Sequence, residues 1–178
     1  MYCMASFPLA IVKLRSNGSM PYGVITHAAA HATPNANQCK VTSRRSIALE
    51  LMIDRGMKRT AFGKPLLNLG GNRERVAEAR VAIDQARLLT LHAAWKLDQL
   101  GALGAMTEIA AIKVVAPSML QKVVDDAIQI HGGEGVSQDT MLTGFFAQAR
   151  SLRLADGPDE VHKGLIAKLE ISKRGHGR

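Results

Sequence analysis

No aspartate or glutamate occurs in the first 49 residues of this 178-residue chain. That stretch holds Lys13, Arg15, Lys40, Arg44 and Arg45, so it supplies most of the formal net charge of +8. Beyond it, the remaining 18 of the 23 Lys and Arg face 15 acidic residues and nearly cancel. A nucleic-acid domain concentrates its excess charge on the fold, so this distribution argues against one. Aromatics are also scarce, at 4% of the chain against 47% hydrophobic residues. A core built from Ala, Leu, Ile, Val and Met favours packed helices over a β-sandwich. Two cysteines, Cys3 and Cys39, are too few for a disulfide framework and point to a reducing compartment. The six histidines are scattered, without the Cys/His spacing of a zinc site. No apolar run approaches the ~18 residues of a membrane helix.

Residues 1–42 are rich in breakers, as in "SNGSMPYG" and "HATPNANQ", and carry no helical period. Their acid-free, Ser- and Arg-containing composition is that of a mitochondrial transit segment or a disordered leader. From residue 43 to 173 the pattern is helical, followed by a short tail, 174–178. Ile47, Leu51, Met52 and Met57 begin it, with Thr42 or Ser43 as an N-cap. A long helix is predicted over about Arg73–Leu100, after a start weakened by Gly70 and Gly71. It has one stripe of Val76, Ala79, Ile83, Ala86, Thr90, Ala93 and Leu97, and a second of Val81, Leu88, Leu91 and Trp95. Two apolar sides imply burial on two sides, one against a bundle core and one against another subunit. "GALGAM" breaks the chain. The next helix, Met106–His131, repeats Ile109, Ile112, Ala116, Met119, Val123, Ala127 and Ile130 at bundle spacing. Pro117 should kink it or leave a local gap in its hydrogen bonding, and Gly132 or Gly133 should end it. Shorter helices follow over about Met141–Leu154 and Pro158–Ser172. No strand alternation is present. The expected fold is an all-α, up-and-down four-helix bundle with an irregular N-terminal leader.

Three segments carry candidate chemistry. In "LADGPDEVH", Asp156 or Gly157 could cap a helix that Pro158 begins, with Asp159 and Glu160 at its positive end. Alternatively Asp156 is a carboxylate on a turn, acting as a general base once desolvated. In "QIHGGEG", the Gly pair could be a helix C-cap or a place where a ligand approaches closely. In "RTAFGKPL", Lys58 and Arg59 could satisfy a helix C-terminus, or Arg59 could grip a phosphate. Asp125 and Asp126 read as a solvated helix face.

In this order, "RTAFGKPL", a long helix, "AIQIHGGEGVS" and "ARSLRLADGPDEVHKGLIAKLE" resemble the C-terminal helical domain of acyl-CoA dehydrogenases. The "LADGPDEVH" form looks most like family members ten and eleven. The match runs from about Thr42 to Ile171. The resemblance implies a flavoenzyme that oxidises acyl-CoA thioesters to 2-enoyl-CoA. A carboxylate takes the α-proton while the β-hydrogen passes to FAD as hydride. Asp156 falls on the base position, and Gly157 on the glycine beside the substrate. Arg59 and Phe62 fall on residues that contact the ADP part of FAD across a subunit interface. Gln129, Ile130, His131, Gly132 and Gly133 fall on the loop that touches the same part. Pro158 and Glu160 fall on flavin-contact positions where the family usually has Thr and Gln. By family analogy the partners are an acyl-CoA substrate, an electron-transfer flavoprotein and further copies in a homo-oligomer. The N-terminal helical and middle β domains of the family have no counterpart here, so the chain alone is expected to be inactive and not to hold FAD. A non-catalytic helical oligomerisation module is the other reading.

Overall fold

The computed structural model describes residues 36–175, with side-chain surroundings from Ser46 onward. The leader expected over residues 1–42 therefore lies, up to residue 35, outside the described residues, as do tail residues 176–178. Five α-helices occur among the described residues: α1 (Ala36–Lys58), α2 (Asn72–Gly104), α3 (Met106–His131), α4 (Leu142–Leu152) and α5 (Asp159–Gly175). The all-α bundle is as the sequence predicts, with five rods rather than four. α3 is central and packs on α1, α2, α4 and α5.

Burial explains why α3 takes the middle. All seven residues of its predicted stripe are buried, and Leu120 and Val124 widen that face. Each Ile, Leu, Val or Met side chain among them contributes ~1.5–3 kcal/mol when fully removed from water. Met52 of α1, Ile83 of α2 and Leu142 of α4 meet this face in one core. Pro117 lies inside the helix and is buried. It has no N–H, so the helical bond that residue would donate to the carbonyl of Lys113 is missing.

α2 buries one stripe, Ala79, Ile83, Ala86, Thr90 and Ala93. Thr90 satisfies its buried hydroxyl by donating to the Ala86 carbonyl at 2.7 Å. On the second stripe Val81, Leu88 and Trp95 are exposed. The expected break falls at Gly101, whose φ of 69° and ψ of −179° leave the helical region before a last turn reaches Gly104. α1 starts N-terminal of Thr42 and Ser43, so neither caps it. One element has no precedent in the sequence pattern. Thr60–Ala61 (β1) and Lys64–Pro65 (β2) pair antiparallel. Phe62 and Gly63 form the tip, both with positive φ, 51° and 75°. That is the backbone a two-residue hairpin demands.

Candidate functional site

The candidate residues fall into two groups near different points along α3. The first surrounds the bend between α4 and α5. The end of α4 closes with the Leu154 and Ala155 amides donating to the Ser151 carbonyl at 3.0 and 2.9 Å. Asp156 then takes a left-handed φ of 55°, and Gly157 a φ of 105°. Asp tolerates the left-handed region better than most residues, and Gly tolerates it freely. α5 begins at Asp159, so Pro158 holds the flanking position and its carbonyl accepts from Val161 N–H at 3.0 Å. Asp156 lies two residues before that position and is exposed, so it does not stand at the N-cap. Pro158 and Glu160 are exposed beside it, and Gly157 is half-buried.

Beneath this bend lies a polar cluster that the sequence reading missed. Lys113 of α3 donates from Nζ to the Leu152 carbonyl at 2.8 Å and to the Gly157 carbonyl at 3.2 Å. Arg153 donates from Nε to Asp159 Oδ2 at 2.7 Å and from a terminal nitrogen to Gln121 Oε1 at 3.1 Å. Asp159 is buried, and so is His162. A Cβ built on Gly157 would stand 3.5 Å from His162 Nε2, so the imidazole lies close under the bend. Burial holds the Lys113 ammonium below the usual lysine range, against the pull of Asp159 and Asp156. Burial, and then the charge of Lys113, hold the His162 imidazole below the usual histidine range. The Asp156 carbonyl and the Asp159 and Asp156 carboxylates oppose that shift. The available signal was a lone cation in the apolar run "AAIKVVA" of α3.

The second group gathers at the C-terminal end of α3. Gly132 ends the helix with a φ of 66°. Gly135 is required by close approach, because a Cβ there would sit 2.8 Å from the Ile128 carbonyl oxygen. Arg55 of α1 pairs with Glu134 at 2.7 Å and ties this turn to the end of α1. Arg59 follows one helical turn later, its N–H donating to the Arg55 carbonyl at 2.9 Å. Phe62 caps the hairpin and is 95% exposed. Arg59, Gln129, Gly132 and Gly133 are also exposed. Ile130 belongs to the core, and His131 is buried with Nδ1–H donating to the Ala127 carbonyl at 2.8 Å. These two can offer a ligand their backbone but not their side chains. Asp126 departs from the expected solvated face: it is buried and paired with Lys122, whereas Asp125 is exposed.

Lys113, which touches the first group, and Gly132, at the second, are separated by about 28 Å along α3 at ~1.5 Å per residue. The structure thus ties the end of α1, from which Arg59 and the Phe62 hairpin follow, to the glycine turn through Arg55 and Glu134, and keeps Asp156 apart from that turn. The second group suits a dinucleotide such as FAD in chemistry and access. A built Cβ at Gly132 or Gly133 meets nothing within 4 Å, which leaves open space beside the backbone. A guanidinium suits a pyrophosphate, and an uncovered phenyl ring suits a planar base.

The chain matches the family model described as acyl-CoA dehydrogenase, C-terminal domain, over residues 36–170. It is similar to acyl-CoA dehydrogenase family member 11 of Rattus norvegicus, 52% identical over 123 residues, covering 69% of this chain and 16% of that protein. It is 51% identical over 127 residues to acyl-CoA dehydrogenase family member 10 of Mus musculus, covering 71% of this chain and 12% of that protein. It is also similar to a solved structure from Mycobacterium abscessus assigned to the acyl-CoA dehydrogenases. The TM-score is 0.74 at 57% identity, with 76% of this chain and 33% of the other covered. The chain therefore spans a third or less of the length of these relatives. With the arginine-aromatic hairpin, the paired-glycine turn and the aspartate bend on this bundle, the chain belongs to the acyl-CoA dehydrogenase family, as its C-terminal helical domain.

Proposed function

We propose that this chain supplies the general base for FAD-dependent α,β-dehydrogenation of an acyl-CoA thioester, with Asp156 removing the α-proton. The observation that carries this reading is the left-handed Asp156, held at a bend outside the helix it precedes. Left-handed backbone at a non-glycine residue is uncommon, and it places Asp156 on the bend outside the α5 N-cap. FAD, when bound, supplies the hydride acceptor. Arg59 would hold its phosphates, Phe62 would cover a flat ring, and the Gly132–Gly133 backbone would allow close approach. Because Asp156 is exposed in this chain, the desolvation that a carboxylate base needs comes from substrate, flavin and further protein. Asp156 and Gly157 would face one flavin, flanked by Pro158 and Glu160. Arg59, Phe62 and the segment from Gln129 to Gly133 would face the ADP part of a FAD held by a neighbouring subunit. The separation along α3 favours that division. By the same family reading, electrons leave to an electron-transfer flavoprotein; the composition of the acid-free leader, rather than the family, points to mitochondria.

The test is reconstitution. The chain is combined with FAD and with the N-terminal and middle segments of a longer relative, and acyl-CoA-dependent dye reduction is followed. Asp156→Asn is expected to lower the rate by ~10²–10⁴-fold, the usual worth of a positioned base. Undiminished turnover in that variant rejects Asp156 as the base.

A second reading, a non-catalytic oligomerisation module, draws on the exposed second stripe of α2. Val81, Leu88 and Trp95 are each more than half exposed. Light scattering separates the cases: a monomer at all concentrations removes the oligomerisation reading.

A further inference from the structure

We infer that Lys113 is a positioning residue that clamps the Asp156–Gly157 bend from the central helix. The inference rests on the reading of Asp156 as the base. One ammonium reaches two backbone carbonyls that lie on either side of Asp156. Leu152 is the last residue of α4, and Gly157 directly follows Asp156. An ammonium at the end of α4 is favoured by the unpaired carbonyls and the negative end of the helix dipole. Helix capping alone, however, requires only the contact with Leu152. The second bond, to Gly157, spans the bend and is unnecessary for ending α4. It closes a bracket in which Asp156 must bulge outward, and its left-handed φ is the backbone that such a bulge takes.

The rest of the cluster keeps that bracket in place. Arg153, at the first residue past α4, is held by Asp159 of α5 and Gln121 of α3. Three elements are thus braced across the bend by side chains that the bundle buries or half-buries. His162 fills the space under Gly157 with both ring nitrogens buried, and the Asp156 carbonyl is the backbone oxygen that acts on it. Lys113 is anchored in turn by its own helix. It lies between the buried Ile112 and Ala116, and it is the residue whose carbonyl loses the helical donor at Pro117. A lysine at this place therefore does more than fill a surface. Its stem is half-buried and its charge sits among backbone oxygens. Asp is one methylene shorter than Glu, so its reach depends on where the backbone puts it, and small misplacement is costly in rate.

The test uses the full chain with Lys113→Met, which keeps the stem and loses the donors, and Lys113→Arg, which keeps charge and donors. By NMR, Lys113→Met is expected to shift the backbone resonances of Asp156 and Gly157. It should also raise the titration midpoint of His162, because the charge that depresses it is gone. Lys113→Arg should restore both. In the reconstituted flavoprotein, Lys113→Met should lower kcat by roughly 10- to 100-fold with KM nearly unchanged, again with recovery in Lys113→Arg. If Lys113→Met does not fold, the unaltered chain still decides the matter: Lys113 ammonium protons should be slow to exchange and show Overhauser contacts to Gly157. Absence of those contacts overturns the clamp. So does a Lys113→Met chain that melts lower yet keeps the Asp156, Gly157 and His162 signals of the parent. Failure of the base reading looks different: Asp156→Asn would then retain turnover while the Lys113 signals still report the bracket.

Discussion

The two groups of candidate residues are held by different physics. The aspartate bend is fixed by side chains: Lys113, Arg153, Gln121 and Asp159 bond across it from three elements. The glycine turn is fixed by backbone: a positive-φ Gly132, a Gly135 with no room for a Cβ, and a hairpin whose tip has positive φ at both residues. Its side-chain ties are the partly exposed Arg55–Glu134 pair and the Thr143 and Ser137 hydroxyls, which donate to the Gly135 and Glu134 carbonyls at 3.1 and 2.8 Å. The first arrangement fixes the backbone from which the Asp156 carboxylate projects. The second leaves Arg59, Phe62 and bare backbone uncovered, as suits a surface completed by something outside the chain. A base needs placement to a fraction of an ångström, whereas a phosphate grip needs access and charge.

That contrast can be broken at four places. The largest effect is expected for Asp159→Ala, which strips Arg153 of its buried partner. A loss of about 3 kcal/mol in chemical denaturation matches the removal of one member of a buried pair, and an effect below 0.5 kcal/mol would mean the bend is not held by side chains. His162 adds a dependence on pH. Its folded pKa lies below the unfolded value near 6.5, so the unfolded chain binds more protons as the pH falls. Stability should therefore be intact above pH ~6.5 and decline as pH drops from there through the lowered folded pKa. His162→Gln should flatten the decline seen in melting curves between neutral and mildly acidic pH. At the other end of α3, Gly132→Ala places a side chain at a φ of 66° and ψ of −139°, outside the left-handed helical well, and should cost about 1–3 kcal/mol, read from the denaturation midpoint. The smallest effect belongs to Glu134→Ala. A partly exposed pair of this kind contributes ~0.2–1 kcal/mol, and a loss as large as that of Asp159→Ala would erase the distinction between the two ends.

The same contrast explains what could be read beforehand. α3 was legible because Ile109 to Ile130 recur at helical spacing and all of them are buried. The Gly132 stop and the turn at Asp156 were legible because glycine and Gly-Pro interrupt that spacing. The hairpin was not, since strands of two residues are too short to alternate. Nor was the bracket under Asp156. Its two lysine bonds span 39 and 44 residues, and nothing in local order says which distant cation will arrive. Asp126 failed for a related reason: its neighbour Asp125 suggested a wet face, but the rotation of α3 buries one and exposes the other. The second stripe of α2 was seen as apolar, and Val81, Leu88 and Trp95 are indeed left uncovered by this chain.

The central claim is that Asp156 takes a proton from a thioester beside a flavin. Single-turnover bleaching of the flavin's visible band on adding acyl-CoA measures that step in the reconstituted protein, apart from product release. The account predicts rapid bleaching with Asp156 present, and almost none in Asp156→Asn although FAD and acyl-CoA still bind. Bleaching of Asp156→Asn at the parent rate would contradict it.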